Sequence, residues 1–160
     1  MDILGIPILS VIIFSPILGI IFILMFRDEG EGTPSKVVAL LSCGVTFFLS
    51  LSLWFNFDHN TENFQMVEKY NWISKFNIDY FLGLDGLNLF FFLLISFITP
   101  LALLGSWNIK NRNWQFQIQM LLLQIGMLGC FAALDVVLFY VFFEIMLIPM
   151  YLLIGIWGGK

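Results

Sequence analysis

Five long apolar stretches, with hardly a charged side chain among them, most constrain how this chain folds. Each exceeds the roughly 18 residues that an α-helix needs to cross the hydrocarbon core of a bilayer. In lipid, backbone polar groups must hydrogen-bond within the chain, and none of the stretches shows the apolar/polar alternation of barrel strands. The sequence therefore predicts an all-α integral membrane protein with five transmembrane helices, at 3–26, 37–57, 86–109, 113–134 and 136–159.

Composition and cysteine spacing exclude several other classes of protein. Hydrophobic residues make up 60% of the 160 residues and charged residues only 11%, which leaves too little polar surface to cover a soluble globule. The net charge of −4 and the lack of a Lys/Arg cluster argue against nucleic acid as a partner. Cys43 and Cys130 lie in different apolar stretches without metal-binding spacing, so neither a disulfide nor a metal site is expected, and the lone His59 is expected to be solvated.

The distribution of Lys and Arg predicts the orientation of the chain in the membrane. Segment 58–85, between the second and third spans, carries only Lys69 and Lys75. Positive charges are concentrated instead in the two shorter loops and at the C-terminus, at Arg27, Lys36, Lys110, Arg112 and Lys160. By the positive-inside rule, these loops and the C-terminus face the inner compartment, whereas the N-terminus and segment 58–85 face outside.

Segment 58–85 is expected to be an outer loop at the membrane interface. Asp85, at its end, stands directly before the third apolar stretch, where a carboxylate can accept hydrogen bonds from the free N–H groups of a helix start. Asp85 is therefore predicted to cap that helix. The segment is rich in aromatic residues, which settle at the depth of lipid head groups: Phe64, Tyr70, Trp72, Phe76, Tyr80 and Phe81.

One acid, Glu144, interrupts the last apolar stretch. It is the ninth residue counted from Val136, so at about 1.5 Å per residue it lies roughly 13 Å into the membrane, close to the midplane. A carboxylate at this depth costs at least ~2.5 kcal/mol and is by default a sign of function. Glu144 is therefore the predicted proton-transfer residue. The alternative is a permanently protonated acid that hydrogen-bonds to a neighbouring helix.

Two neighbours of Glu144 on the same predicted helix suggest how its proton is managed. Tyr140 lies one turn earlier on the same face, where its hydroxyl could hold the carboxyl group. Pro149 cannot bond to the carbonyl of Ile145, so a helix distortion and a free acceptor are expected beside the acid, at a place where water can collect. A simple packing kink explains Pro149 equally well.

Two further polar residues are supporting candidates. If the fourth and fifth spans turn near Leu134, Gln124 and Glu144 lie at similar depth and could touch, although Gln124 could equally bond to the third span. Asp135 lies nine residues before Glu144 and points the opposite way, since nine steps of 100° amount to half a turn beyond two full ones. Its predicted role is to cap the fifth helix, with proton uptake or contact with a neighbouring subunit as alternatives.

Two runs carry a resemblance to a known family: "NIDYFLGLDGLNLFF" at 77–91 and "LDVVLFYVFFEIMLIPMYLLIGIWGG" at 134–159. Together they resemble subunit 4 of proton-pumping NADH:quinone oxidoreductase (respiratory complex I), called antiporter-like subunit M in bacteria. The resemblance covers the whole chain in order. It implies that Glu144 is the essential glutamate of the fifth span, paired in the family with a lysine on the seventh, and that Asp135 falls on an acidic position. It also implies that NADH, flavin, iron–sulfur clusters and quinone belong to other subunits, with no cofactor on this chain.

The resemblance has one large departure, which concerns length. Subunits of the family have about fourteen spans with inverted five-helix repeats, whereas this sequence ends after the fifth, in "GIWGGK", and lacks the lysine partner. The expected explanation is a split subunit in which a second chain carries the remaining helices. Neighbouring antiporter-like and accessory subunits of the complex and membrane lipids are the other implied partners.

Two other functions stay open from the sequence. One is a structural piece of the membrane arm without a proton path of its own, and the other is a subunit of a cation/proton antiporter. The expected location is the mitochondrial inner membrane, because no presequence is visible and the 19 Phe residues suit an AT-rich organellar genome. A bacterial plasma membrane is the alternative.

Overall fold

Five helical segments long and apolar enough to cross a membrane dominate the structure, a computed structural model that describes residues 7–26, 33–61 and 63–158. The first residues of the predicted first span (3–6), the last residue of the predicted fifth span (159), Arg27 and Lys160 lie outside the described residues. The helices are α1 (Ile8–Phe14), α2 (Pro16–Met25), α3 (Thr33–Asn56), α4 (Gly86–Gly105), α5 (Asn113–Ala132) and α6 (Val136–Trp157), of which α1 and α2 together form the first span.

The first span is interrupted at Ser15, which separates α1 from α2. Pro16 takes the first position of α2, where its missing N–H costs no helical hydrogen bond. The hydroxyl of Ser15 lies 2.8 Å from the carbonyl oxygen of Ile12 and 2.8 Å from the hydroxyl of Thr46 on α3. The interruption is therefore fixed by hydrogen bonds to the first span itself and to the second.

The fourth span, α5, lies at the centre of the bundle. It packs against α2, α3, α4 and α6, and eleven of its residues are buried, including the three polar residues Asn113, Gln117 and Gln124. Its apolar buried side chains, such as Leu121 and Leu128, join two clusters that extend toward opposite ends of the bundle. The core of this chain is therefore built around α5.

Two glycines bring α5 and α6 into close contact. A Cβ atom on Gly126 would lie 2.9 Å from the backbone nitrogen of Met146, and one on Gly129 would lie 2.1 Å from the ring of Phe142. Small residues at such positions let membrane helices approach backbone to backbone. The pairing of 126 with 146 and of 129 with 142 also sets the relative height of side chains on the two helices.

Most of segment 58–85 folds as a β-hairpin, whereas the sequence predicts only an interfacial loop. Strands β1 (Gln65–Ile73) and β2 (Ile78–Leu84) pair antiparallel, with Tyr70 opposite Tyr80. A short 3₁₀ turn joins the strands, and Asn77, with φ of 50°, closes it in the left-handed conformation, which Asn tolerates better than most residues. The hairpin pairs the backbone groups of the segment, and the loop prediction accounted for none of those bonds.

The hairpin is attached to the ends of two spans. On β1, the buried carboxylate of Glu68 accepts hydrogen bonds from the backbone N–H groups of Leu9 (2.6 Å) and Ser10 (3.2 Å) and from the Ser10 hydroxyl. On β2, the carbonyl of Phe81 accepts from the N–H of Leu134, between α5 and α6, at 2.8 Å. The hairpin therefore covers one end of the bundle, which we call the hairpin end.

At the opposite end, Lys36 joins the second and third spans. Its ammonium group donates to the carbonyl of Trp107, just past α4, at 2.7 Å, and lies 5.7 Å from the centre of the Trp107 indole. A cation stabilises carbonyls near a helix C-terminus and also interacts with an aromatic face. Lys36 is thus nearly buried even though it was predicted only as a loop charge.

Candidate functional site

Glu144 lies on the side of α6 that faces away from the rest of this chain. The face of α6 that packs on the bundle carries the buried residues Leu138, Phe142 and Pro149. Two helical steps from Phe142 turn the side chain by about 200°, which places Glu144 on the opposite face, and there it is exposed. Glu144, the acid predicted from the sequence, is therefore not buried by the described part of this chain.

The depth of Glu144 makes that exposure significant. It follows the start of α6 by eight residues, or about 12 Å of helix, in a hydrocarbon core of about 30 Å. A charged carboxylate facing acyl chains there costs at least ~2.5 kcal/mol, and such residues usually face protein or water. The exposed face of α6 therefore needs a protein or aqueous neighbour that these five spans do not provide.

Tyr140 shares this outward face with Glu144. The two residues are one helical turn apart, and the Tyr140 hydroxyl lies beside the Glu144 carboxyl group, as the i−4 spacing predicts. Tyr151 continues the exposed face about two turns further along. An acid flanked by phenol groups along one helix face can bind or pass a proton to a neighbour with complementary donors.

Gln124 is placed differently from the prediction. The pairs 126 with 146 and 129 with 142 put Glu144 level with residues 127 and 128, so Gln124 lies about one turn further from the hairpin end. Its amide oxygen accepts from the thiol of Cys43 on α3 at 3.2 Å, and its side chain is fully buried. The structure therefore joins Gln124 to the second span and not to Glu144 or the third span.

Pro149 lies inside α6, which continues as a helix to Trp157. Because proline has no N–H, it cannot donate to the carbonyl of Ile145, and the predicted distortion does not interrupt the helix. The ring of Pro149 is buried on the packed face, whereas Glu144 is on the opposite one. The free carbonyl follows Glu144 in sequence, but the proline itself points into the bundle.

Asp135 caps α6, in agreement with the prediction from its position. Its carboxylate accepts hydrogen bonds from the backbone N–H groups of Val137 at 2.8 Å and Leu138 at 3.1 Å. Asp85 similarly caps α4 by accepting from Asn88 at 2.6 Å. These two acids bond backbone N–H groups at helix starts, whereas the partner of Glu144 within the described residues is the exposed hydroxyl of Tyr140.

The charged groups of the described residues offer no counter-ion for Glu144. The one ion pair found among them joins Lys69 to Asp79 on the hairpin, at 3.1 Å, and Lys36 donates to a carbonyl at the far end of the bundle. Nor do the described residues contain a group of three His, Cys, Asp or Glu side chains able to hold a metal. Within the described residues, the site therefore consists of the Glu144 carboxyl group and the Tyr140 phenol, without a cation to pair with the acid.

Glu68 is a buried carboxylate of the hairpin, which the sequence did not single out. It is 7% exposed and bonds the start of α1. The available signal was an acid among aromatic and apolar residues in the strand "QMVEKYNWI". An acid of this kind is recognisable only once the segment is read as a strand with one face turned to the bundle.

Comparisons with known proteins point to one group of relatives, although no family model matches the chain. NADH-quinone oxidoreductase subunit M of Rickettsia typhi is 36% identical over 98% of this chain and 33% of its own length. NADH-ubiquinone oxidoreductase chain 4 of Arabidopsis thaliana is 39% identical over 95% of this chain and 31% of its own length. The subunit M of Rhodobacter capsulatus is 42% identical over 95% of this chain and 30% of its own length.

The fold is likewise similar to solved structures. A chain of respiratory complex I from Thermus thermophilus with bound NADH matches with a TM-score of 0.76 and 27% identity, over 95% of this chain and 30% of that one. A chain of an archaeal membrane-bound sulfane sulfur reductase shares the fold, with a TM-score of 0.72 at 19% identity. This chain spans about a third of the length of the curated relatives it matches.

Proposed function

Because the chain belongs by sequence and fold to the family of NADH-quinone oxidoreductase subunit M and chain 4, we propose that it forms part of the antiporter-like subunit 4 of a proton-translocating NADH:ubiquinone reductase. The five candidate spans and the similarity of the fold to a chain of respiratory complex I support this assignment. The redox cofactors, NADH, flavin, iron–sulfur clusters and quinone, are assigned to other subunits of the complex. The contribution of this chain is to proton movement in the membrane.

Glu144 is the residue assigned to proton transfer, and its outward position on α6 carries the proposal. An acid near the midplane that points away from its own chain is expensive unless another polypeptide segment covers it. A basic side chain on that segment would favour the ionised carboxyl group, whereas a dry surrounding favours the protonated one. Moving the base away from Glu144 would then favour proton uptake, and moving it toward Glu144 would favour proton release. Tyr140 would hold the carboxyl group between these steps.

The remaining helices of such a subunit lie outside this sequence, and they are proposed to cover the exposed face of α6 that carries Tyr140 and Glu144. A census of the membrane spans in the purified complex tests this point. Later spans that include a membrane lysine are expected; a complex that contains the redox subunits but no such spans would contradict the proposal.

The orientation and location follow from the same assignment. The hairpin end is proposed to face outside, because segment 58–85 contains few positive charges relative to the loops at the other end. The mitochondrial inner membrane is the proposed location, with a bacterial plasma membrane as the alternative, since the relatives include a plant chain 4 and bacterial subunits M. Impermeant labelling of Lys75, which is exposed on the hairpin, from either side of sealed vesicles tests the orientation.

The central test is the substitution Glu144→Gln in the intact complex. The amide is nearly isosteric, so assembly should be preserved, but it cannot carry the proton. We expect NADH oxidation to persist while proton translocation into sealed vesicles falls by at least about tenfold, since a positioned general acid–base group typically contributes about 10²-fold or more. The measurement is the ratio of protons moved to NADH oxidised.

A matched control separates loss of charge from loss of proton transfer. Asp58→Asn makes the same carboxyl-to-amide change at an exposed site outside the spans and should leave the ratio unchanged. A normal ratio in Glu144→Gln would leave the acid a purely structural role. Absence of the chain from particles that contain the flavin and iron–sulfur subunits would overturn membership of the complex itself.

A further inference from the structure

A cavity of about 360 Å³ lies beneath the distal half of the hairpin, well away from Glu144 in sequence and on a different element. It opens to the surface at the hairpin end, between the two strands and the side of α1. Four of its six lining residues are aromatic and none is basic: Ser10, Phe14, Tyr70, Asn71, Trp72 and Tyr80.

The cavity follows from how the hairpin is attached. Glu68 ties β1 to the beginning of α1, and Tyr70, two residues further along the strand, is on the same face as Glu68. Tyr70 pairs directly with Tyr80, and their ring centres are 6.2 Å apart. The strands extend beyond the attachment point, so Tyr70 and Trp72 overhang the side of α1.

The electrostatic character of the cavity favours a cation. Aromatic faces attract cations through their quadrupole, and groups of such rings recognise quaternary ammonium ions. The hydroxyl of Tyr80 bonds that of Ser10 at 2.7 Å, and Ser10 in turn donates to the buried Glu68 carboxylate. Burial of the Tyr80 side chain is the main cause that raises the pKa of Tyr80, and the negative charge of Glu68 raises it further. The phenol therefore stays neutral beside that acid.

Lys69, which adjoins Tyr70 on β1, is turned away from this cavity. Lys69 is adjacent to Glu68 on β1 and therefore points to the other face of the hairpin. There its ammonium group pairs with Asp79 at 3.1 Å and lies 5.1 Å from the centre of the Phe81 ring. A phosphate-only ligand would thus find no lysine or arginine among the lining residues, whereas an ammonium ion would find aromatic faces.

The position of the cavity in the membrane selects an amphipathic ligand. Phe14 belongs to the first span and lies about one helical turn further from the hairpin end than Ser10 does. Tyr70 and Trp72 come from the hairpin, whose aromatic residues suit head-group depth. The cavity therefore runs from the level of lipid head groups toward the acyl chains.

We propose that this cavity binds the quaternary ammonium head group of a choline phospholipid, with its acyl chains directed along Phe14. The aromatic rings would surround the trimethylammonium group, and Glu68 would add a favourable negative potential. The site is independent of the proton-transfer assignment, since none of its residues lies on α6.

The test uses the intact complex, depleted of native lipid and reconstituted in phosphatidylglycerol. Two probes carry the same diazirine next to the glycerol backbone and differ only in head group, choline or glycerol. After photolysis, labelling is measured on the tryptic peptide 1–27, which contains Ser10 and Phe14. We expect the choline probe to label this peptide about twofold to fivefold more, by the strength of a cation–π contact at a partly exposed site.

Substitutions and competitors then identify the cause of the preference. Trp72→Leu and Tyr70→Leu remove a π face without changing the measured peptide, and each should bring the ratio of choline to glycerol labelling close to one. The control Phe76→Leu changes an exposed aromatic residue of the same hairpin that does not line the cavity, and it should leave the ratio intact. Excess unlabelled phosphatidylcholine should compete better than phosphatidylethanolamine.

Three results would overturn the proposal without depending on any variant's stability. Equal labelling by the two probes in the unaltered complex would show that the head group is not recognised or that another subunit fills the cavity. A preference for the glycerol probe would identify an anionic-lipid site. Equal competition by phosphatidylethanolamine would show that the quaternary ammonium group is not what is bound.

Discussion

The spans α5 and α6 are the two arms of one tight helical hairpin, yet they use their polar residues in opposite ways. Within the described structure, 56% of an apolar 18-residue stretch of α5 is buried, compared with 17% of the corresponding stretch of α6. The polar side chains of α5 point into the bundle, and the single acid inside α6, Glu144, points out of it. The helix α5 therefore forms the core of this chain, and α6 has an exposed face that is available for contact with another segment.

The contrast separates two reasons for a polar side chain within a span. On α5, the amide of Gln117 donates to Asn113 at 2.9 Å, and Gln124 accepts from Cys43. One atom of each amide thus finds a partner within the five spans, whereas the Gln117 oxygen and the Gln124 nitrogen find none among the described residues. Glu144 has a same-face phenol but no cation among the described residues. A polar group already paired inside its own chain indicates packing, and one left facing outward at membrane depth indicates a partner or a proton route.

The largest effect is expected at the contact between the two arms. Gly126→Ala would place its Cβ 2.9 Å from the backbone nitrogen of Met146, which cannot move without separating the helices. We expect a loss of about 1–3 kcal/mol in stability, as for overpacking in general. The readout is the temperature at which the buried thiol of Cys43 becomes reactive to maleimide, in complex carrying Cys130→Ala.

Gly155→Ala on α6 is the matched control, because nothing lies within 4 Å of a Cβ at that position. It should not lower the labelling temperature, since the added Cβ meets no atom and alanine has the higher helix propensity. If the two glycine variants behaved alike, α6 would not be packed on α5 as closely as the structure indicates. The distinction between a central arm and a peripheral arm would then weaken.

A smaller effect is expected where α6 begins. Asp135→Ala removes the acceptor for the N–H groups of Val137 and Leu138 and should cost about 1 kcal/mol, measured by the same thiol assay. Asp135→Asn keeps a capping oxygen and should retain most of the stability. A large loss of proton translocation in Asp135→Asn with unchanged stability would show instead that this capping acid, like Glu144, takes part in transport.

The smallest effect is expected at Gln124. One amide hydrogen-bonding group of this buried residue, its nitrogen, finds no partner among the described residues. Gln124→Leu removes that unpaired donor at the cost of one weak bond from Cys43, so stability should change by less than about 1 kcal/mol, with an increase as the favoured sign. A loss of several kcal/mol would show that Gln124 belongs to a larger polar network, and that the interior of α5 is more than packing.

The spans were predictable from the sequence because length and hydropathy alone decide them. All five helical segments appear within the predicted windows or within a few residues of them. The caps Asp85 and Asp135 were predictable for a similar reason, since each acid directly precedes an apolar run. These are local features, and local chemistry determines them.

The features that were missed depend on contacts between distant parts of the chain. The aromatic residues of segment 58–85 suit an interfacial loop and a strand equally well, and only the pairing of Tyr70 with Tyr80 distinguishes the two. The rotation of α5 about its axis decides that Gln124 meets Cys43 and not Glu144, and one sequence does not fix that rotation. For the same reason, the outward direction of Glu144 came only from the packing of Phe142 against Gly129.

The attachment of Glu68 to the first span also bears on how the protein is made. The N–H groups of Leu9 and Ser10 receive their acceptor from a residue 59 positions away in sequence for Leu9. During synthesis, α1 is made before this acceptor, which becomes available only after α3 and β1 have left the ribosome. The attachment of α1 to the hairpin is therefore completed only after the second span has followed it.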